Sequence, residues 1–174
     1  MRKLFLAFSF ICTCISLKAQ TQCDSLFGDW AFTRWQGDNV FVDLEDTAAT
    51  LQYPIQTYKK ANPLKSLAAK DSLEMINDVR FLVSTIKTNG FMKFTLNNDF
   101  TFKWHGSINE PDVEFSGTFK CDGDTLFLTE GKSKKKSPDQ TLALKIISQK
   151  GKYLTLRFPN NSHIFNSIIT FKRN

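Results

Sequence analysis

The sequence predicts an all-β protein with a helical insertion, built as an antiparallel up-and-down barrel of eight to nine strands. Between residues 91 and 128, apolar side chains recur at every second position with mostly polar residues between them, which indicates strands with one buried face. Turn-forming residues interrupt the alternation at Asn97-Asn98-Asp99 and Asp122-Gly123-Asp124, as expected for hairpins. Hairpin-connected strands favour a barrel because closure leaves no free edge. A two-sheet sandwich is the alternative.

The first twenty residues differ in composition from the rest of the chain. Arg2 and Lys3 precede an apolar stretch from Leu4 to Ile15, which is too short to span a bilayer. This pattern predicts a removable secretory signal peptide over residues 1–20, the alternative being a buried N-terminal helix or strand. Residues 21–174 then have the length of one compact domain.

Removal of the predicted signal peptide lowers the net charge. The whole chain has 23 basic and 17 acidic residues, hence a charge of +6. Residues 1–20 contain Arg2, Lys3 and Lys18 and no acidic residue, which leaves 20 minus 17, or +3. A charge this small, on an exported protein, gives no reason to expect a nucleic-acid partner.

Two cysteines, Cys23 and Cys121, remain in the predicted mature chain. In an oxidising compartment they could form a disulfide, and the loop-entropy account assigns so long a loop at most about 4–5 kcal/mol. The alternative is two free thiols, with Cys121 on the buried face of its strand and Cys23 in a disordered N-terminus.

Two strands are predicted before the helical insertion. Trp30 and Phe32 alternate in the first strand, and a turn at Gly37-Asp38-Asn39 leads to a short second strand over residues 40–44.

Helical signals then predict an insertion over residues 63–88. Asn62-Pro63 is a preferred arrangement at a helix start, and Asp71 with Glu74 forms a capping box. An apolar stripe at helical spacing extends from Leu73 to Ile86, and Asn89-Gly90 provides a stop. We expect one long helix or two short helices that cover part of the β-structure.

The remaining strands follow the central hairpins and are predicted from alternating apolar positions. Polar segments over residues 131–138, 150–152 and 159–162 separate them. The alternating positions are Leu142, Leu144 and Ile146, then Leu154, Leu156 and Phe158, then Ile169 and Phe171.

Several segments carry a resemblance to known proteins. Gly28-Asp29-Trp30 resembles the Gly-x-Trp signature of lipocalins. The hairpin over residues 94–102, the segment over residues 117–126 and the ending over residues 169–173 resemble small secreted bacterial proteins with a lipocalin-like domain, a family of mostly uncharacterised members. The similarity spans most of residues 26–173 and implies a lipocalin-like barrel, secreted to the periplasm or cell envelope of a Gram-negative bacterium.

The resemblance also raises two questions about particular residues. In lipocalins a basic residue from a late strand packs over the signature tryptophan, and Arg173, Lys172 and Arg157 are the candidates here. The family's hairpin usually carries glycine where this chain has Phe100. This difference puts the turn geometry in question and could leave an aromatic ring near the barrel mouth.

The chain lacks the residue patterns of common enzymes and cofactor sites. His105 and His163 are its only histidines, and neither has a neighbour at metal-ligand spacing. No nucleophile elbow or phosphate-binding glycine loop occurs in the sequence. We therefore expect a protein that is not an enzyme and uses no metal or cofactor. Since His105 follows Trp104, alternation places it on the solvated face.

The aromatic residues are more informative, because many of the 17 phenylalanines are in phase with the strands. Aromatic side chains lining a barrel either fill its core or border an apolar cavity, with the helical insertion as lid or plug. The predicted ligand-binding residues are Trp30, Phe32, Phe94, Phe102, Trp104, Phe115 and Phe119.

Two functions therefore stay open. The first is a secreted, lipocalin-like protein that binds a small hydrophobic molecule or lipid in the barrel interior. The second is a filled-core module that contacts an envelope protein, or inhibits an enzyme, through its loops and helices. A lysine cluster at Lys132, Lys134, Lys135 and Lys136 fits a solvated loop or attraction to lipid phosphates at the envelope.

Overall fold

The computed structural model describes residues 23–37, 40–89, 92–106, 113–131, 141–159 and 167–174. The strands in these ranges are β1 (Gly28–Gln36), β2 (Phe41–Asp43), β3 (Lys93–Leu96), β4 (Thr101–His105), β5 (Glu114–Asp122), β6 (Thr125–Glu130), β7 (Thr141–Lys150), β8 (Tyr153–Arg157) and β9 (Ile168–Arg173). The helices are α1 (Thr47–Ala61) and α2 (Ala69–Asn89).

The strands form one antiparallel sheet that closes on itself. Its order is β2-β1-β3-β4-β5-β6-β7-β8-β9, and β1 also pairs with β9. Eight strands therefore make the barrel, while β2 pairs with the second half of β1, where Gln36 lies opposite Phe41. The predicted barrel with a helical insertion is confirmed, and the sandwich alternative is wrong.

The helical insertion is longer than the sequence predicted, because it also contains α1. The Asp46 carboxylate accepts a hydrogen bond from the backbone N–H of Ala49 at 3.0 Å and so caps the first turn. Pro54 lies inside this helix, although a proline there removes a backbone donor and normally disfavours the helix. The insertion consequently spans residues 47–89 rather than 63–88.

Asn62 ends α1 instead of starting the next helix. Its backbone N–H donates to the carbonyl of Tyr58 at 2.9 Å, and its side-chain amide donates to the same carbonyl at 3.1 Å. The predicted start at Asn62-Pro63 is therefore wrong, because the amide bonds back to the preceding turn. The second helix begins at Ala69, before the predicted capping residue Asp71, and ends at Asn89, where the sequence predicted a stop.

The segment before β1 closes one end of the barrel. The ring of Phe27 packs edge-on against Phe100 and Phe119, with ring centroids 5.7 and 6.1 Å away. A disulfide joins Cys23 to Cys121 of β5, so this segment is attached covalently to the barrel wall. We call this the disulfide end of the barrel and the opposite one the far end.

Phe100, in the hairpin between β3 and β4, has a left-handed backbone conformation with φ 62°. A side chain in this region costs about 1–2 kcal/mol, which explains why glycine suits such a position. The Phe100 ring lies 5.6 Å from that of Phe119, and its packing offsets the backbone cost. The Phe100 ring therefore lies at one end of the barrel, the disulfide end, where it packs on Phe27 and Phe119.

Several sequence predictions concern positions outside the described residues. They are the signal peptide over residues 1–20, the turn at Asp38-Asn39, Gly90, the lysine cluster within residues 132–136, the turn residues 160–162, and His163. Within the described part of the chain, neither α1 nor α2 is long and apolar enough to cross a membrane.

Candidate functional site

One row of aromatic residues crosses four neighbouring strands inside the barrel. Trp30 of β1 lies opposite Phe94 of β3, which in turn lies opposite Trp104 of β4. Trp104 lies opposite Phe115 of β5. Directly opposed residues of antiparallel strands share one face of the sheet. All four therefore belong to the interior-facing set, and we call them the aromatic row.

The first three members of the aromatic row pack on one another. The rings of Trp30 and Phe94 are 6.2 Å apart with 18° between their planes, and those of Phe94 and Trp104 are 5.2 Å apart with 6° between them. Phe171 presents an edge-on ring to Phe94 at 4.7 Å. Such ring pairs are favourable beyond the area that they bury. These predicted ligand residues are thus one another's packing partners.

Exposure increases along the aromatic row. The exposed fraction is 0% at Trp30, 3% at Phe94, 7% at Trp104 and 38% at Phe115. Phe115 therefore faces inward, as the alternation predicted, but its ring is only partly enclosed. It is the second residue of β5, at the far end of the barrel, beyond the point where β6 ends at Glu130 opposite Gly117.

Both indole N–H groups of the aromatic row have protein partners. Trp30 Nε1 donates to the Leu26 carbonyl at 2.8 Å, and Trp104 Nε1 donates to the Gly106 carbonyl at 2.8 Å. Because each indole donor is already satisfied, a ligand at the row would meet apolar ring surface rather than hydrogen-bond donors.

The other predicted ligand residues do not join the aromatic row. Phe119 packs at the disulfide end with Phe27 and Phe100, while Phe32 and Phe102 are buried elsewhere in the core. The seven predicted residues are therefore spread along the barrel and do not all line one site.

The interior around the start of the aromatic row is filled. A void large enough for water would leave accessible surface on the side chains that border it. Trp30, Phe171, Leu154 and Leu156 all have an exposed fraction of 0%. No such void therefore borders these four side chains.

Arg173 is the basic residue that packs over Trp30. Its central guanidinium carbon lies 4.6 Å from the centroid of the indole ring, and a terminal nitrogen donates to the Ser25 carbonyl. Of the other two candidates, Lys172 forms an ion pair with Glu45 at 2.6 Å and Arg157 is exposed. The strand register determines which basic residue packs over Trp30, since Arg173 lies opposite it.

Trp35, a half-buried residue of β1 at the far end, was not among the predicted site residues. A strict alternation from Trp30 and Phe32 would place Trp35 outside the barrel. A bulge between Phe32 and Arg34 shifts the register, so that Trp35 lies opposite the buried Ile169. Its indole N–H donates to the Ser167 hydroxyl at 2.8 Å. No single-residue signal in the sequence announces this bulge.

A concavity of about 270 Å³ lies along β3, β4 and β5, and three members of the aromatic row are among its lining residues. The lining consists of Lys93, Phe94, Thr95, Lys103, Trp104, His105, Glu114, Phe115 and Ser116. His105 Nδ1 lies 3.5 Å from a carboxylate oxygen of Glu114, so His105 is on the solvated face, as the alternation predicted. The described residues contain no group of three His, Cys, Asp or Glu side chains placed to hold a metal ion.

Comparisons with protein-family models, curated proteins and solved structures find no match for this chain. The resemblance to lipocalin-like proteins therefore stays a prediction. The fold itself, a closed eight-stranded antiparallel barrel with an apolar interior, belongs to an architecture that can hold one small ligand.

Proposed function

We propose that this protein is a secreted, non-enzymatic barrel of the lipocalin-like type that binds a small hydrophobic molecule at the far end. The observation that carries the proposal is the rise in exposure along the aromatic row, which ends with Phe115 at 38%. A large ring that is accessible beside a stacked apolar surface can contact a ligand without displacing the core.

The disulfide end is unsuited to ligand entry. The rings of Phe27, Phe100 and Phe119 contact one another there, and the disulfide holds the covering segment in place. A ligand would instead contact Phe115 and Trp104, with Trp35 at the same end of the barrel. Because the core below Trp104 is filled, this ligand is small or enters only in part.

Binding of a fluorescent apolar naphthylamine probe tests the site. Burial of a phenylalanine ring is worth about 1.5–3 kcal/mol, so Phe115→Ser should weaken probe binding by about tenfold or more. Ile147→Ser is the matched control, because Ile147 is an apolar strand residue with a similar exposed fraction, 41%, outside the aromatic row. If both variants bind the probe as wild type does, the proposed site is wrong.

The filled core also favours a second candidate, a module that acts through its surface by contacting an envelope protein or inhibiting an enzyme. Native mass spectrometry separates the two candidates. A small molecule that co-purifies and is lost on unfolding supports the binder, whereas an apo mass with no probe binding supports the module. In the second case Trp104→Ala should only lower stability, by about 3–5 kcal/mol.

Secretion is proposed from residues 1–20 alone. The intact mass of the protein purified from its own cells should correspond to a chain that lacks these residues. If the purified protein instead had the mass of the full 174-residue chain, this part of the proposal would be contradicted.

A further inference from the structure

The connection between α1 and α2 forms an exposed tip on the helical hairpin. Residues 59–70 make up this connection and the adjoining turns of both helices, and we call them the hairpin tip. Leu64 lies at its centre with an exposed fraction of 99%. The backbone N–H of Lys65 donates to the Asn62 carbonyl at 3.1 Å, so the turn that presents Leu64 is hydrogen-bonded.

The hairpin tip projects away from the barrel. None of residues 51–82 is buried, whereas Thr50 near the start of α1 and Val83 and Ile86 near the end of α2 are. The helices therefore attach to the barrel at their base. From Thr50 to the end of α1 the helix extends about 16 Å, which places the tip well clear of the barrel wall.

The charge of the hairpin tip is of one sign. It contains four lysines and no acidic residue, and each lysine is exposed. None of them forms an ion pair with another described residue. The lysines are Lys59, Lys60, Lys65 and Lys70.

Helix stability explains only part of this charge. Lys59 and Lys60 lie in the last turn of α1, where cations interact favourably with the helix dipole. Lys70 lies in the first turn of α2, where a cation is unfavourable for the same reason. Lys65 lies between the helices and supports neither. Lys65 and Lys70 therefore fit an external anionic partner better than a role in folding.

We propose that the hairpin tip binds the anionic head-group surface of a lipid bilayer, with Leu64 inserted at the interface. A single exposed leucine on a protein surface is ordinary and needs no partner. Here it is the most protruding apolar side chain within a cationic segment. Lysine stems can lie along the acyl boundary while their ammonium groups reach lipid phosphates.

Vesicle sedimentation tests the proposal, and the sample is the processed protein purified from its own cells. The vesicles contain phosphatidylcholine alone or an equal mixture of phosphatidylcholine and phosphatidylglycerol. The protein should bind the anionic vesicles, and added salt should weaken this binding. Each lysine near an anionic surface is worth about fivefold in affinity, so Lys65→Gln/Lys70→Gln should lose about 25-fold.

Two further variants distinguish vesicle binding through the hairpin tip from an effect of the overall net charge. Lys150→Gln/Lys152→Gln removes the same charge from exposed lysines around the turn between β7 and β8 and should bind like wild type. Leu64→Ser should lose about tenfold, because the leucine side chain would no longer be buried. Absence of binding to anionic vesicles would overturn the proposal, as would equal losses in the two lysine pairs. Binding to soluble polyglutamate, lost with the tip lysines, without vesicle binding would instead indicate an acidic protein partner.

Discussion

The guanidinium group of Arg173 covers the indole ring of Trp30, with its central carbon 4.6 Å from the ring centroid. Trp30 is fully buried, and its own N–H is bonded to the Leu26 carbonyl. Arg173 also donates to the carbonyl of Ser25. One side chain near the C-terminus therefore joins the last strand to the segment that closes the disulfide end.

Removing this guanidinium should destabilise the fold. A cation over an indole contributes about 0.5–2 kcal/mol, and a hydrogen bond to a charged group contributes about 1.5–3 kcal/mol. Arg173→Met keeps part of the side-chain stem, and we expect its free energy of unfolding to fall by about 2 kcal/mol in urea titrations. Arg157→Met is the control, because Arg157 is exposed and should change stability by less than about 0.5 kcal/mol. Equal effects in both variants would contradict the role assigned to Arg173.

The disulfide between Cys23 and Cys121 closes a sequence separation of 98 residues. Native disulfides in small domains typically stabilise by about 2–4 kcal/mol. We expect the double substitution Cys23→Ser/Cys121→Ser to lower the free energy of unfolding by that amount, and reduction of the wild type to have a similar effect. The control is the same variant with reductant, which should show no further loss. If reductant lowered the stability of the variant as much as that of the wild type, loss of the disulfide would not be the cause of the destabilisation.

The fold could be predicted from the sequence because its strongest signal is local. Alternation of apolar residues in β3 to β6 reports which face of each strand is buried, and Gly123 supplies the turn between β5 and β6 with a positive φ of 55°. The first helix could not be found in this way, since Pro54 contradicts its pattern. The helix start predicted at Asn62 was wrong because an asparagine side chain can cap a helix start or bond back to the preceding turn at a helix end.

The candidate site was less predictable, because it depends on register rather than on pattern. Alternation correctly assigned Phe115 to the inward face but carries no information on how far along the barrel a residue lies. A bulge places Trp35 inside, and pairing with β9 places Arg173 rather than Lys172 over Trp30. These relationships join positions that are distant in sequence.

The left-handed backbone of Phe100, with φ 62°, allows its strain to be measured. Phe100→Ala removes the ring and keeps a side chain in the strained region, whereas Phe100→Gly removes both the ring and the strain. We expect both variants to be less stable than wild type, with the glycine variant about 1 kcal/mol more stable than the alanine variant. Thermal or urea unfolding measures this difference. At an ordinary backbone position the order reverses, so an alanine variant as stable as the glycine variant would contradict the strain.

Gly117 of β5 has no room for a side chain. A Cβ at this position would lie 2.0 Å from the Thr129 carbonyl oxygen and 2.7 Å from the Gly131 nitrogen, both backbone atoms. Since the backbone must move to make space, we expect Gly117→Ala to destabilise by about 1–3 kcal/mol. Gly131→Ala is the control, because its nearest neighbour would be 3.5 Å away. A change of the same size in both variants, measured by urea unfolding, would rule out this local cause.

Glu45, just before α1, pairs with two residues of the barrel. Its carboxylate accepts hydrogen bonds from Lys172 at 2.6 Å and from the Tyr153 hydroxyl at 3.0 Å. The bond from Lys172, assisted by that from Tyr153, holds the pKa of the Glu45 carboxyl below its ordinary value of 4.5. The ionised form is therefore favoured in the folded state.

The stabilisation from Glu45 should be complete above pH 4.5 and disappear as the pH falls through the lower pKa of the folded state, because the unfolded chain binds the proton first. Glu45→Gln should therefore lower the stability at neutral pH and flatten the loss of stability on acidification below pH 4.5. Glu74→Gln removes an exposed carboxylate that forms no ion pair with another described residue and should leave that slope unchanged. Urea unfolding at a series of pH values measures both curves. Parallel curves for wild type and Glu45→Gln would mean that the base of the helical hairpin is not held to the barrel through this carboxylate.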